Sequence, residues 1–272
     1  MNQNFDDFLE TRELSPTTKK QYTLYFDKAE VLFNNGLLDQ NRVNEFIATY
    51  KSNLVKSFLR LYFEYKGIKD LIINRRTGRV ARKKPLIMSK DDAIILFNAL
   101  YQYHEKIGLM TELSYRCALR RDEVCNINVG DIDWDEWKKE RKTGKLLIVK
   151  AKGDKQRYVI IPTEMMAKLG NYVNKINVLS TDKLFFKNDD NKNIPISKER
   201  YWEVYHEAVL GLFGKKYKLH TLRNTRATQW FEEGVDIVRI QQRLGHSNIA
   251  TTRLYINPDE ESELKKWQED EQ

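Results

Sequence analysis

The sequence is short of the residues that staple, export or insert a chain. Only two cysteines occur among 272 residues, Cys117 and Cys125, in a stretch that reads as helix with no histidine or second cysteine pair beside them. A disulfide framework or a zinc site needs more sulfur or imidazole at defined spacing, so the two thiols are expected to be buried and reduced, and no metal site is expected. Glycine (12) and proline (5) are scarce, which argues against a loop-rich chain and for a largely helical one. The longest apolar runs, 146–149 and 159–162, fall far short of the roughly 20 residues that cross a bilayer. The opening MNQNFDDFLE carries neither a basic n-region nor an apolar h-region. No signal peptide and no membrane partner are therefore expected, and the expected location is the cytoplasm. A glycine-rich phosphate loop and an acidic metal cluster are missing as well, so no cofactor is expected.

What is present is apolar material and charge. Hydrophobic residues make up 41% and charged residues 32%, enough for packed cores in one large domain or two modest ones, and two is the working count. The net charge of +8 favours a polyanionic partner, with nucleic acid the first candidate. Ser15 followed by Pro16 is a helix start, and Tyr22, Phe26, Ala29 and Phe33 follow at helical spacing. A helical stretch around 43–50 comes next, and Leu54, Phe58, Leu61, Tyr62 and Tyr65 repeat the pattern before Gly67. Residues 1–73 thus read as a small helical domain.

Residues 74–88 read as an interdomain linker, with Arg75, Arg76, Arg79, Arg82, Lys83 and Lys84 crowded into NRRTGRVARKK. Such a strap either lies on phosphates and makes binding salt-dependent, or is an ordinary solvated charge run. A second domain, 89–272 with its C-terminal tail, begins at the helix start Ser89-Lys90-Asp91-Asp92. Its helical pattern gives way to LLIVKAK, Gly153-Asp154 and KQRYVIIP, which reads as a β-hairpin with Lys152 at the turn, and 134–145 is expected to enlarge the loop before it. From Lys198 onward the pattern is helical again. The expected fold is mainly α with a small β-hairpin or sheet, an α+β arrangement in two domains.

The chemistry concentrates near the C-terminus, in His220-Thr-Leu-Arg223, Leu244-Gly245-His246 and Tyr255. His220 and Arg223 share one helix face and address one small anion together. These residues resemble the signature of the tyrosine recombinases of the phage integrase and Xer kind: H-x-x-R, then L-G-H, then a nucleophilic tyrosine. The separations of 23 residues from Arg223 to His246 and 9 from His246 to Tyr255 resemble the family's. Upstream, Ala118-Leu119-Arg120-Arg121-Asp122-Glu123 is similar to the G-L-R-x-x-E box, and Lys152-Gly153-Asp154-Lys155-Gln156-Arg157 to the K-G-x-K-x-R hairpin. Three departures stand out: Ala118 replaces glycine, Asn224 follows Arg223 where histidine is common, and the stretch from Arg120 to Lys152 is long.

The resemblance implies a helical core-binding domain ahead of a tyrosine-recombinase catalytic domain. It implies Arg120, Lys152, His220, Arg223, His246 and Tyr255 as catalytic groups and Glu123 as the acid that orients Arg120, with Lys155 competing with Lys152. It further implies double-stranded DNA as partner, self-association as a dimer or tetramer on DNA, and a Holliday junction. Two runner-up readings are a type IB topoisomerase-like relaxing enzyme and a catalytically silent DNA-binding regulator. In the family the segment after the tyrosine packs on a neighbouring subunit. Here that segment is acidic with Leu264 and Trp267, and is either such a contact or a frayed terminus.

Overall fold

The computed structural model describes residues 4–34, 38–50, 52–71, 73, 85–140, 142–149, 156–176, 178–189, 192–214, 216–246, 249 and 252. The chain forms two compact units, Met1–Ala81 and Arg82–Gln272.

The first unit holds four helices: α1 (Phe5–Glu10), α2 (Pro16–Asn34), α3 (Gln40–Tyr50) and α4 (Asn53–Lys66). Two of them start at a serine cap. Ser15 Oγ accepts from the Thr18 N–H at 3.2 Å, and Ser52 Oγ accepts from the Leu54 N–H at 3.1 Å. Each hydroxyl satisfies a donor that the helix itself leaves open. The core between these helices is aromatic, with Phe5, Tyr22, Phe46, Phe58 and Tyr62 all buried. Phe5 stacks on Phe26 with ring centroids 4.3 Å apart. The hydroxyl of Tyr62 donates to Glu30 at 2.7 Å, which lets its polar end enter an otherwise apolar bundle.

The second unit runs α5 (Lys90–Tyr103), α6 (Glu105–Arg116), α7 (Arg121–Cys125), α8 (Trp134–Glu140), β1 (Gly144–Ile148), β2 (Arg157–Ile161), α9 (Thr163–Asn174), β3 (Phe186–Asp189), β4 (Lys192–Pro195), α10 (Lys198–Phe213), α11 (Leu219–Glu232) and α12 (Ile237–Leu244). Ser89 caps α5, accepting from the Asp92 N–H at 3.1 Å. Strands β1 and β2 pair antiparallel from Gly144↔Ile161 to Ile148↔Arg157. Leu146, Ile148, Val159 and Ile161 turn inward while Tyr158 and Ile160 face out, as a two-residue period requires. Leu96, Leu113, Leu169, Tyr201 and Tyr205 complete one core, and Ala227, Trp230, Ile240 and Leu244 form a smaller one under α11 and α12. Among the described residues no helix is long and apolar enough to cross a membrane.

Two local readings of the sequence are corrected. Residues 134–140 form α8 rather than loop, because Trp137 is buried on the core against Gly170, where any Cβ would lie 3.0 Å from its ring. Cys117 and Cys125 are buried and free, as expected, but not on one helix: α6 stops at Cys117 and Cys125 closes α7. A second hairpin, β3–β4, pairs Phe186↔Pro195 through Asp189↔Lys192.

Candidate active site

Arg120 owes its place to a reversal between α6 and α7. Ala118 makes that reversal with φ 51, the only positive φ at a non-glycine among the described residues. The left-handed region costs an L-residue roughly 1–2 kcal/mol, which explains why a glycine suits this position. Burial of the Ala118 methyl in the smaller core offsets part of that cost. The chain then enters α7 with Arg120 at its N-cap. Glu123, one turn on, accepts from the Arg120 N–H at 2.8 Å and from Arg120 Nη1 at 2.7 Å. Its carboxylate therefore caps the start of the helix and aims the guanidinium at once.

Arg223 lies on α11 and is 1% exposed. Its Nη1 donates to the Ala118 carbonyl at 2.7 Å and its Nη2 to the Leu244 carbonyl, and Glu123 Oε2 lies 3.9 Å away. Nη2 also meets His246 Nε2 at 3.1 Å. A guanidinium has no acceptor, so Nε2 accepts, and the imidazole proton sits on Nδ1 facing Thr252 Oγ1 at 2.9 Å. His246 follows Gly245, the left-handed C-cap of α12 at φ 64, and the Gln241 side chain donates to its carbonyl at 2.9 Å.

Burial lowers the pKa of His246, and the positive charges of Arg223 and Arg120 lower it further, to about 4. His220, on the first turn of α11 with its edge toward solvent, is shifted down by partial burial and by the same two arginines. Burial pushes the Glu123 carboxyl up, but the Arg157 and Arg120 donors outweigh it and hold the pKa at about 2. The arrangement is a cationic pocket with one carboxylate at its base, suited to gripping a phosphate through fixed donors. A cleft of about 600 Å³ opens beside Arg120 and His220, lined also by Trp202, Tyr205, Tyr217 and Lys218. A second cavity of about 590 Å³, between 104–107 and 194–197, holds none of these groups.

The structure thus brings Arg120, Glu123, Arg223 and His246 together, with His220 facing the two arginines. Lys152, its competitor Lys155, Tyr255, the tail after it, and the linker residues Arg75, Arg76, Arg79, Arg82, Lys83 and Lys84 lie outside the described residues. Three contributors were missed in the sequence: Arg157, Thr252 and the Ala118 carbonyl. Arg157 had a signal, because it shares the inward face of β2 with Val159 and Ile161. Among the described residues no group of three or more His, Cys, Asp or Glu is placed to hold a metal ion.

The Phage integrase family model matches residues 87–262. Tyrosine recombinase XerA of Thermococcus kodakarensis is 28% identical over 279 residues, covering 98% of this chain and 93% of that protein. A solved structure of the Tn1549 transposon integrase in complex with transposon right end DNA superposes with a TM-score of 0.72 at 12% identity, covering 97% of each chain. The XerH site-specific recombinase bound to palindromic difH substrate, a post-cleavage complex, superposes with a TM-score of 0.67 at 18% identity, covering 92% of this chain and 78% of that one. At these identities the two structural likenesses are likenesses of fold.

Proposed function

The chain belongs to the phage integrase family, and from that premise we propose that it is a site-specific DNA recombinase, cutting and rejoining duplex DNA through a covalent bond between Tyr255 and a phosphate. The observation that carries this reading is the cluster of Arg120, Arg223 and His246 around Glu123. Attack on a phosphodiester builds negative charge on the non-bridging oxygens, and guanidinium donors already fixed in place stabilise that charge, with the His246 ring holding Arg223 from the other side.

The tyrosine oxygen forms a bond to phosphorus as the bond to the 5′ oxygen breaks. Tyr255 is a weak nucleophile near its usual pKa of about 10, so its proton must leave as the bond forms, and His220 is assigned that transfer. Lys152 protonates the departing oxygen. The products are a 3′-phosphotyrosine and a free 5′-hydroxyl. That hydroxyl, losing its proton, attacks a second phosphotyrosine, and the tyrosine O–P bond breaks as the new phosphodiester forms and the tyrosine regains a proton. Strands are exchanged through a Holliday junction, with no need of ATP because the covalent link conserves the bond.

Double-stranded DNA is the partner, and two exchanging sites need the protein as a dimer and then a tetramer. The helical unit and the basic linker bind DNA around the core site. The working place is the cytoplasm. The test is a nicked suicide duplex carrying the recombination site: the wild type accumulates a denaturation-resistant adduct, in EDTA as well, whereas Tyr255→Phe binds with equal affinity and forms none. An adduct that persists in Tyr255→Phe refutes the assignment of the nucleophile. Supercoil relaxation without strand exchange moves the protein to the topoisomerase class.

A further inference from the structure

Arg157 has no part in the reaction described so far, yet its side chain is only 8% exposed and each of its three nitrogens is engaged inside the site. Nη1 and Nη2 donate to the two oxygens of Glu123, both at 2.8 Å. Nε donates to the Arg243 carbonyl at 3.0 Å. A helix leaves its last carbonyls without donors of its own, and here two arginines supply them. Arg157 takes the carbonyl of Arg243, and Arg223 takes that of Leu244. Two residues further on is His246. The Arg157 side chain lies flat on the intervening turn, since a Cβ on Gly245 would sit 3.0 Å from its Cδ.

Two elements distant in sequence therefore meet at one guanidinium: α7, which presents Arg120, and the turn after α12, which presents His246. Resting on the recombinase reading, we propose that Arg157 is a positioning residue for strand cleavage, setting the separation of Arg120 and His246 by bridging Glu123 to the Arg243 carbonyl. The task needs a planar group with three donors in fixed directions. A lysine supplies the charge but not the fork, so Arg157→Lys is not a conservative change here. Arg157 also opens β2 and follows Lys152 by five residues in the sequence, so an effect passed through the general acid has to be separated from one passed through Arg120 and His246.

The experiment compares wild type, Arg157→Lys and Arg157→Gln, all full length. Amide hydrogen exchange reads the geometry directly: the N–H groups of Gly245 and His246, bonded to Gln242 and Gln241 carbonyls, are expected to lose protection in both variants while α10 and α11 keep theirs. The charged and titratable groups acting on His246 are Arg223 and His220 from α11, Arg120 at the start of α7 and Arg157 from β2, with Glu123 behind the arginines it pairs. Removing the Arg157 cation in Arg157→Gln leaves Glu123 less neutralised, so the His246 imidazole is expected to titrate at higher pH by NMR. Single-turnover adduct formation is expected to slow by about tenfold to a hundredfold in both variants, the scale of losing charge-assisted hydrogen bonds, with DNA affinity unchanged.

A duplex with sulfur at the 5′ bridging position separates the routes, because a thiolate leaves without being protonated. The defect is expected to persist on that substrate. Unchanged exchange at Gly245 and His246, or full recovery on the sulfur substrate, overturns the proposal. A wild type that forms no adduct at all overturns the recombinase reading instead, and the exchange and titration results still decide whether Arg157 places His246.

Discussion

His246 and Glu123 respond to acid in different pH windows, and the signs follow from their surroundings. His246 titrates near 4 in the folded chain, because burial and then the charges of Arg223 and Arg120 disfavour its cation. Unfolded, it titrates near 6.5. Below about pH 6.5 the unfolded chain takes up the proton first, so stability declines from there toward about pH 4. His220 shifts in the same direction and adds to the same step. Glu123 is held near 2 against about 4.3 unfolded, so its contribution is complete above about pH 4.3 and is lost as pH falls through about 2. Urea denaturation measured from pH 7 to 3 is expected to show an upper loss that His246→Gln reduces, and a lower one that remains. A profile for His246→Gln that matches the wild type between pH 6.5 and 4 contradicts the placement of the ring among the arginines.

At the scale of elements, the site depends on two turns in the left-handed region, at Ala118 and at Gly245. The first aims a carbonyl at Arg223, and the second delivers His246. Ala118→Gly relieves the backbone but gives up a fully buried methyl, so its effect on unfolding free energy is expected to stay within about 1 kcal/mol. Ala118→Val keeps the wrong backbone preference and adds volume against Trp230 and Leu244. It is expected to destabilise by roughly 2–4 kcal/mol and to slow cleavage with it. Chemical denaturation of the pair decides the point, since a well-tolerated valine means the turn is not under the constraint described.

For the whole molecule, the two units have separate cores, one aromatic and helical, one mixed. The basic stretch 74–84 joins them in sequence, and its role is tested by charge. Neutralising Arg75, Arg76, Arg79 and Arg82 is expected to weaken binding to many duplex sequences alike and to flatten the salt dependence by about 0.9 log unit for each phosphate no longer neutralised. An unaltered salt slope leaves the segment as a solvated charge run.

Much of this protein was legible in its sequence because the information is local. Ser15-Pro16 and Ser89 mark helix starts by chemistry that acts within three residues. The spacing of apolar residues declares the helical first unit, and the β-branched runs LLIVKAK and KQRYVIIP around Gly153-Asp154 declare a hairpin. The four boxes supplied the family and the identities of Arg120, Glu123, His220, Arg223 and His246. What the sequence does not contain is direction. It ran Cys117 and Cys125 through one helix, because the left-handed turn at Ala118 lacks the glycine that would announce it. It left Arg157 as one letter of a hairpin, although parity on β2 points it inward, because the partners that give it meaning, Glu123 and the Arg243 carbonyl, are 34 and 86 residues away. Tertiary packing alone decided that one carboxylate gathers Arg120, Arg157 and Arg223. Its pKa and the proton position on His246 follow from that meeting and from nothing in the local sequence.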